Sequence, residues 1–349
     1  MSDTRSVLPE PVAAALDRVG AAMARGRPGA EAVEAALLAL DPLRPDIIER
    51  ARSEIARRCG LRVERRRLGP LLEIVVALFP ALAPPSGARL LRDVPGLDHL
   101  YLFHWNGRLR EAALDRLQGG ARSPFFFGAI VYRLNDWAWQ VRAAAARCAA
   151  RTFPRTEPAI VAAAALSLLG RTDSWTRWGE EASHLDDAMS RADVAEALAA
   201  RLGAATTGPM ARVLVQALRR PAMDRHLPEL ARQARIPAVR ATALRTLIEA
   251  RAAWPAGFGI QWIDKTYGLF RRVRVFDQRP VERAQTVEAL VALAAADRAP
   301  AVRRVAAEAL VRNHASLANA DRLVDLLLRD KSPSIRERAG FVAKARAGA

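Results

Sequence analysis

A chain of 349 residues, 51% of them hydrophobic, is able to bury a large core and is not an intrinsically disordered one. Arginine supplies 51 of its 54 basic residues and the net charge is +17. Trading lysine for arginine leaves charge unchanged, so that excess calls for an anionic partner such as nucleic acid, an acidic protein or a membrane surface. Two cysteines, Cys59 and Cys148, are too few for a disulfide framework and read as reduced thiols.

Residues 1–95 are expected to form a helical N-terminal cap region. Helices are predicted over Pro9–Arg25, Pro28–Leu40 and Asp46–Arg58, with Gly26 and Pro28 as punctuation. The opening residues Met1 to Leu16 lack a basic segment followed by an apolar core, so a cytoplasmic chain without a signal peptide is expected. The cluster Arg62 to Arg67, RVERRR, has two readings. Arg65, Arg66 and Arg67 either contact an anion or cap a solvated helix end at the negative pole of its dipole. Leu68 to Leu82 reads as a buried helix. With Glu73 and Pro80 in it, this longest apolar run is too short to span a bilayer. Residues 83–87, APPSG, mark the break before the next region.

From residue 96 to 349 a unit recurs. Its clearest copy is Asp297 to Asn313, DRAPAVRRVAAEALVRN. A turn carries a proline suited to a helix start, and apolar residues follow at the helical period: Val302, Val305, Ala306, Ala309 and Leu310. Further copies begin at Asp330, Asp136, Ile236 and Trp105. Aligned on Leu109, Val141, Val239, Val302 and Ile335, they are separated by multiples of about 32 residues, which marks a helical solenoid. The pattern D-x-x-P-x-V-R with spaced alanines and leucines resembles the HEAT repeat, especially its short bacterial variety related to the phycobilisome-lyase type. The resemblance implies an all-α fold: a right-handed α-solenoid of about seven helical pairs. It also implies a structural ladder in which an Asp lies six residues before an Arg. Asp136 with Arg142, Asp297 with Arg303, and Asp330 with Arg336 have that spacing. Arg110 and Arg240 lack it, because His104 and Ala234 stand six residues back.

Between Leu90 and Trp139 lie nine of the twenty aromatics, most of them expected to fill the seams between the first repeats, with the alternative that some line a groove. Trp137 and Trp139, two apart at a helix start, do not share a helix stripe, so at least one is expected on a surface. The rhythm then breaks at 252–280. Trp254, Phe258, Trp262, Tyr267, Phe270 and Phe276 are interleaved there with Lys265, Arg271, Arg272, Arg274 and Arg279. Strand signals are scarce throughout the chain. The insertion is read either as a binding element, with aromatics stacking on bases and arginines meeting phosphates, or as a helix plugging a seam.

Catalytic signatures are absent: there is no phosphate loop, nucleophile elbow, zinc-protease helix or paired Cys-x-x-Cys. Asp98 and His99 with His104 lack further ligands, so neither a metal nor another cofactor is expected, and no small-molecule substrate. The favoured function is non-catalytic binding of nucleic acid through a basic concave face and the insertion. The site residues are Arg65, Arg66, Arg67, Trp254, Trp262, Lys265, Tyr267, Arg271, Arg272, Arg274 and Arg279. The runner-up is a scaffold for an acidic protein partner; a membrane role ranks below both, since no amphipathic anchor stands out. A third alternative, by resemblance to alkylpurine DNA glycosylases, places a carboxylate at Asp136 with Trp137, Trp139 and Arg142, or at Asp173 with Trp175 and Trp178.

Overall fold

The computed structural model describes residues 6–26, 28–61, 86–171, 175–177 and 179–347. The chain is mostly helical and divides into two units, Met1–Ala188 and Met189–Ala349. The cluster at Arg65, Arg66 and Arg67, the expected helix at 68–82, and Asp173 and Trp178 lie outside the described residues.

In the first unit, α1 (Glu10–Ala24), α2 (Ala30–Leu40) and α3 (Ile48–Arg58) form where the N-terminal helices are expected. Val12, Ala15, Leu16 and Val19 make the buried stripe of α1. A Cβ at Gly20 would lie 1.9 Å from the Arg58 carbonyl oxygen, so glycine is what allows α1 to close on the end of α3. The helices α4 (Gly87–Asp93), α5 (Leu97–Tyr101), α6 (Gly107–Arg116), α7 (Pro124–Leu134), α8 (Trp139–Thr152), α9 (Pro158–Leu168) and α10 (Ser183–Ser190) follow, the last crossing the boundary between units. α7 is buried nearly all round, with Phe125, Phe126, Phe127, Ile130 and Val131 inside. Ser123 caps it, its hydroxyl accepting from the Phe126 amide. Arg122, just before it, donates to both Asp41 and Glu34 and so ties this helix to α2.

The second unit contains α11 (Ala192–Ala204), α12 (Met210–Ala217), a 3-10 turn at Pro221–His226, α13 (Leu227–Gln233) and α14 (Pro237–Glu249). Two strands, β1 (Arg251–Asp264) and β2 (Leu269–Pro280), come next, then α15 (Val287–Ala295), α16 (Pro300–Asn313), α17 (Ala320–Leu328) and α18 (Pro333–Ala347). α13 packs on α14, α15 on α16 and α17 on α18, while α14 meets α16 and α16 meets α18.

Between these pairs runs a ladder of charge. Arg240 grips Asp297 through Nε and Nη2, at 2.7 and 2.8 Å, and Nη1 donates to the carbonyl of Ala234 at 2.7 Å. Arg303 repeats this on Asp330, with its Nη1 on the carbonyls of Asp297 and Arg298. In the first unit Arg110 does the same with Asp136, at 3.1 and 3.0 Å, and with the carbonyls of His104 and Trp105. The spacing of six therefore reports the bond from each Arg to the carbonyl six residues back. The carboxylate partner comes from the following turn. This is why Arg110 and Arg240 hold full rungs without an Asp upstream. Arg142 takes Glu181 instead at 3.3 Å, and Arg336 bonds the carbonyls of Asp330 and Lys331.

Each ladder carboxylate also closes its own turn: Asp136, Asp297 and Asp330 accept from the amides of Ala138, Ala299 and Ser332 at 3.0, 2.8 and 2.8 Å. His104 substitutes for the carboxylate, its Nδ1 accepting from the Asn106 amide at 2.9 Å. Burial, with help from the charge of Arg110, pushes its imidazole down to about 4, so it stays neutral and keeps that acceptor.

One alternative is corrected: residues 252–280 fall in an antiparallel pair of strands, not in a helical plug. The aromatics of 90–139 divide between interior and surface. Tyr101, Phe103 and Phe125–Phe127 are buried, but Trp105, Trp137 and Trp139 are 52%, 73% and 65% exposed.

Candidate nucleic-acid interface

The ribbon leaves the helical body at Arg251, paired with Pro280, and turns back at residues 265–268. Gly268 sits there with φ +64°, and the Asp264 carboxylate accepts from the amides of Thr266 and Tyr267. Twelve residues at about 3.4 Å each give a reach of roughly 40 Å. Residues facing each other across the strands share a face, and alternate residues change face. The pairs Pro255–Phe276, Phe258–Arg274, Ile260–Arg272 and Trp262–Phe270 therefore build one face. Gly257–Val275, Gly259–Val273 and Gln261–Arg271 build the other. Two bulges, between Pro255 and Gly257 and between Trp262 and Asp264, keep the alternation from running unbroken.

The first face is aromatic and cationic together. The guanidiniums of Arg272 and Arg274 lie over the Phe258 ring, 5.1 and 5.9 Å from its centre. Trp262 and Phe270 meet edge to face at 5.5 Å. Phe258, Trp262, Phe270 and Phe276 are 49–62% exposed. Among the described residues, Arg272 and Arg274 have no carboxylate within ion-pair distance. An isolated two-stranded hairpin is marginal in water, and here the base is what fixes it. Ala252 is fully buried, Arg279 clamps Asp224 at 2.6 and 2.7 Å and reaches the carbonyls of Leu218 and Arg220, and Arg219 donates to the Pro255 carbonyl.

The candidate residues therefore separate into groups. Trp262, Arg272 and Arg274 share the aromatic face. Arg271 lies on the opposite face, its Nε 2.8 Å from the Gln261 side-chain oxygen. Lys265 and Tyr267 stand at the exposed tip. Trp254 is half-buried near the base, and Arg279 is committed to Asp224. Phe258, Phe270 and Phe276 join the face although their place in it was not read from the sequence. The only sequence signal for them is the register, and the glycines and bulges obscure it.

The carboxylate considered for sugar-cation chemistry, Asp136, is 1% exposed in its side chain and accepts from Arg110, Arg133 and the Ala138 amide. Burial works to raise its pKa, but the charges of Arg133 and Arg110 outweigh that and leave it lowered. Trp175 packs edge-on against Tyr132 at 5.9 Å. Among the described residues no group of three or more His, Cys, Asp or Glu is placed to hold a metal ion, and no helix is long and apolar enough to cross a membrane. An open groove of about 520 Å³ in the second unit is lined by Glu196, His226, Glu229, Gln233 and Arg235 with small apolar residues, a mixed-charge lining with no convergent reactive set. No protein family, no curated protein and no solved structure matches the chain.

Proposed function

We propose that this is a non-catalytic, HEAT-like α-solenoid of helical hairpins, capped by its helical N-terminal region, that binds nucleic acid in the cytoplasm with the β-ribbon as principal contact. The observation that carries this reading is one ribbon face that aligns Phe258, Trp262, Phe270 and Phe276 with Arg272 and Arg274. Bases stack on aromatic rings without regard to sequence, and arginines beside them neutralise phosphates with release of counterions. The return of the Arg–Asp rungs supports the repeat architecture. The engaged lone pairs of Asp136 speak against its use as a catalytic carboxylate.

The test is fluorescence anisotropy with labelled single- and double-stranded DNA across a salt series. Replacing Arg272 and Arg274 by alanine is expected to weaken binding and to lower the slope of log K against log salt by about 1.4 on single strands. Absence of wild-type binding at low salt would sink the reading. The ribbon face would then be assigned to an acidic protein partner, whose carboxylates meet the same unpaired arginines.

A further inference from the structure

The four residue pairs that build the aromatic face of the ribbon contain no carboxylate. From base to tip the face presents Phe276, then Phe258 beside Arg274, then Ile260 beside Arg272, then Trp262 beside Phe270. Rings stand at both ends of this row and both cations lie between them. The six steps from Phe270 to Phe276, at about 3.4 Å each, cover roughly 20 Å. A stacked strand advances about 3.4 Å per nucleotide, so about six nucleotides match that length.

The two cations are held by a ring and not by an acid. The guanidiniums of Arg272 and Arg274 lie over Phe258. A cation–π contact uses no N–H group, so their donors remain for phosphate oxygens. Arg251 and Arg279 at the base differ, being paired with Glu249 and Asp224. The end rings are open to a partner: Trp262 is 49% exposed and Phe276 55%.

The row tells one form of nucleic acid from another. In a duplex the neighbouring bases cover each base's π-faces, and only edges and phosphates reach the grooves. Duplex contact would engage Arg272 and Arg274, on phosphates or on guanine edges, and leave the four rings unstacked. Driving the rings between base pairs would cost the stacking they displace. The opposite face does not fit a groove better: Gly257, Gly259, Val273 and Val275 carry no side-chain donors or acceptors, and Gln261 is engaged by Arg271. An unpaired strand offers π-faces and phosphates together. We propose that this face selects unpaired nucleic acid over duplex, with Trp262 and Phe276 stacking on bases toward the two ends of the row and Arg272 and Arg274 taking the phosphates between them. The inference rests on the nucleic-acid reading of the ribbon and names the form of nucleic acid it takes.

The experiment titrates the full chain with a labelled oligothymidylate, and with the same strand paired to oligoadenylate, over a salt series. Wild type is compared with Trp262→Leu/Phe276→Leu, which keeps apolar side chains but removes two π-faces, with Trp262→Phe, and with R272A/R274A, each checked for folding by circular dichroism. Each phosphate contact costs the duplex more affinity as salt rises, with a slope of about 0.9 against about 0.7 for single strands. The preference for the single strand is therefore expected to widen with salt and to reach on the order of tenfold or more. The double leucine variant is expected to lose that preference with its salt slope and duplex affinity unchanged, and Trp262→Phe to keep it. A duplex bound as tightly as the single strand at every salt concentration, or a double leucine variant that retains the wild-type preference, overturns the selection of unpaired strands. Weaker binding of both forms by R272A/R274A then leaves the nucleic-acid reading of the ribbon standing. No wild-type binding to either form overturns both, and so does polyglutamate that displaces the labelled strand as well as unlabelled oligothymidylate does.

Discussion

Asp297→Ala removes one end of the rung that joins α14 to α16. Arg240 is 4% exposed in its side chain and Asp297 13%, so the substitution leaves a guanidinium desolvated with only carbonyls for partners. Breaking a buried pair from one side costs about 3–5 kcal/mol. The lost acceptor for the Ala299 amide adds about 1 kcal/mol, since that amide is also taken out of water. The expected loss is thus about 4–6 kcal/mol. Replacing both partners, as Arg240→Met with Asp297→Leu, is expected to cost less than Asp297→Ala alone, because no charge is stranded. Denaturation in urea followed by circular dichroism gives the difference, and hydrogen exchange of the α14 and α16 amides localises it. Asp321→Ala is the control: Asp321 is 78% exposed and should give no measurable change. A cost for Asp297→Ala below about 1 kcal/mol, or a double variant as unstable as the single, would refute a stabilising role for the rung.

Other outcomes follow from the same geometry. Excising residues 252–279 is expected to leave the helical unit folded, because Ala250 and Val281 already join by a 2.9 Å hydrogen bond, while abolishing most nucleic-acid affinity; loss of the helical signal would contradict this. Trp262→Ala should weaken single-strand binding by about 1–3 kcal/mol with the thermal midpoint unchanged, since the ring is half-exposed. His104 is neutral in the fold and its pKa is depressed to about 4 against an ordinary 6.5. The unfolded chain therefore binds the extra proton first as pH falls. Stability should drop by about 3 kcal/mol between pH 6.5 and 4, and His104→Asn should remove that part of the pH dependence. Burial pushes the Cys148 thiol up to about 11 and raises that of Cys59 as well, so neither should react with a maleimide at neutral pH until the chain unfolds.

The helices were legible because each buries a stripe at the helical period, as Val302, Val305, Ala306, Ala309 and Leu310 do in α16. The turn arginines were legible too, but their partners were not. A contact between Arg240 and Asp297 spans 57 residues, and no local spacing reports it. The ribbon was hidden for a different reason. A strand announces itself when one face is buried and the other is wet. Here both faces beyond the base are wet, so alternation is confined to Arg272 to Val275 and is broken on either side by Arg271 and Phe276. Its aromatic and basic composition was visible, and its function was inferred from that; the face that collects Phe258, Trp262 and Phe270 needed the register. Exposure of Trp137 was half-legible, since two tryptophans two residues apart do not share a helix stripe.

The rungs pass a charge forward, arginine from one turn to carboxylate of the next, and this makes the length of the chain a quantised quantity. Removing residues 297–329 would bring Asp330 to the place of Asp297, opposite Arg240, and the buried ions would balance as before. Within the helices a deletion of another size would strand a guanidinium or shift a turn out of reach, whereas the ribbon lies outside the rungs and its removal leaves them paired. The helices from α14 to α18 can therefore be shortened by a whole rung-to-rung segment, while the same ladder rejects a partial one.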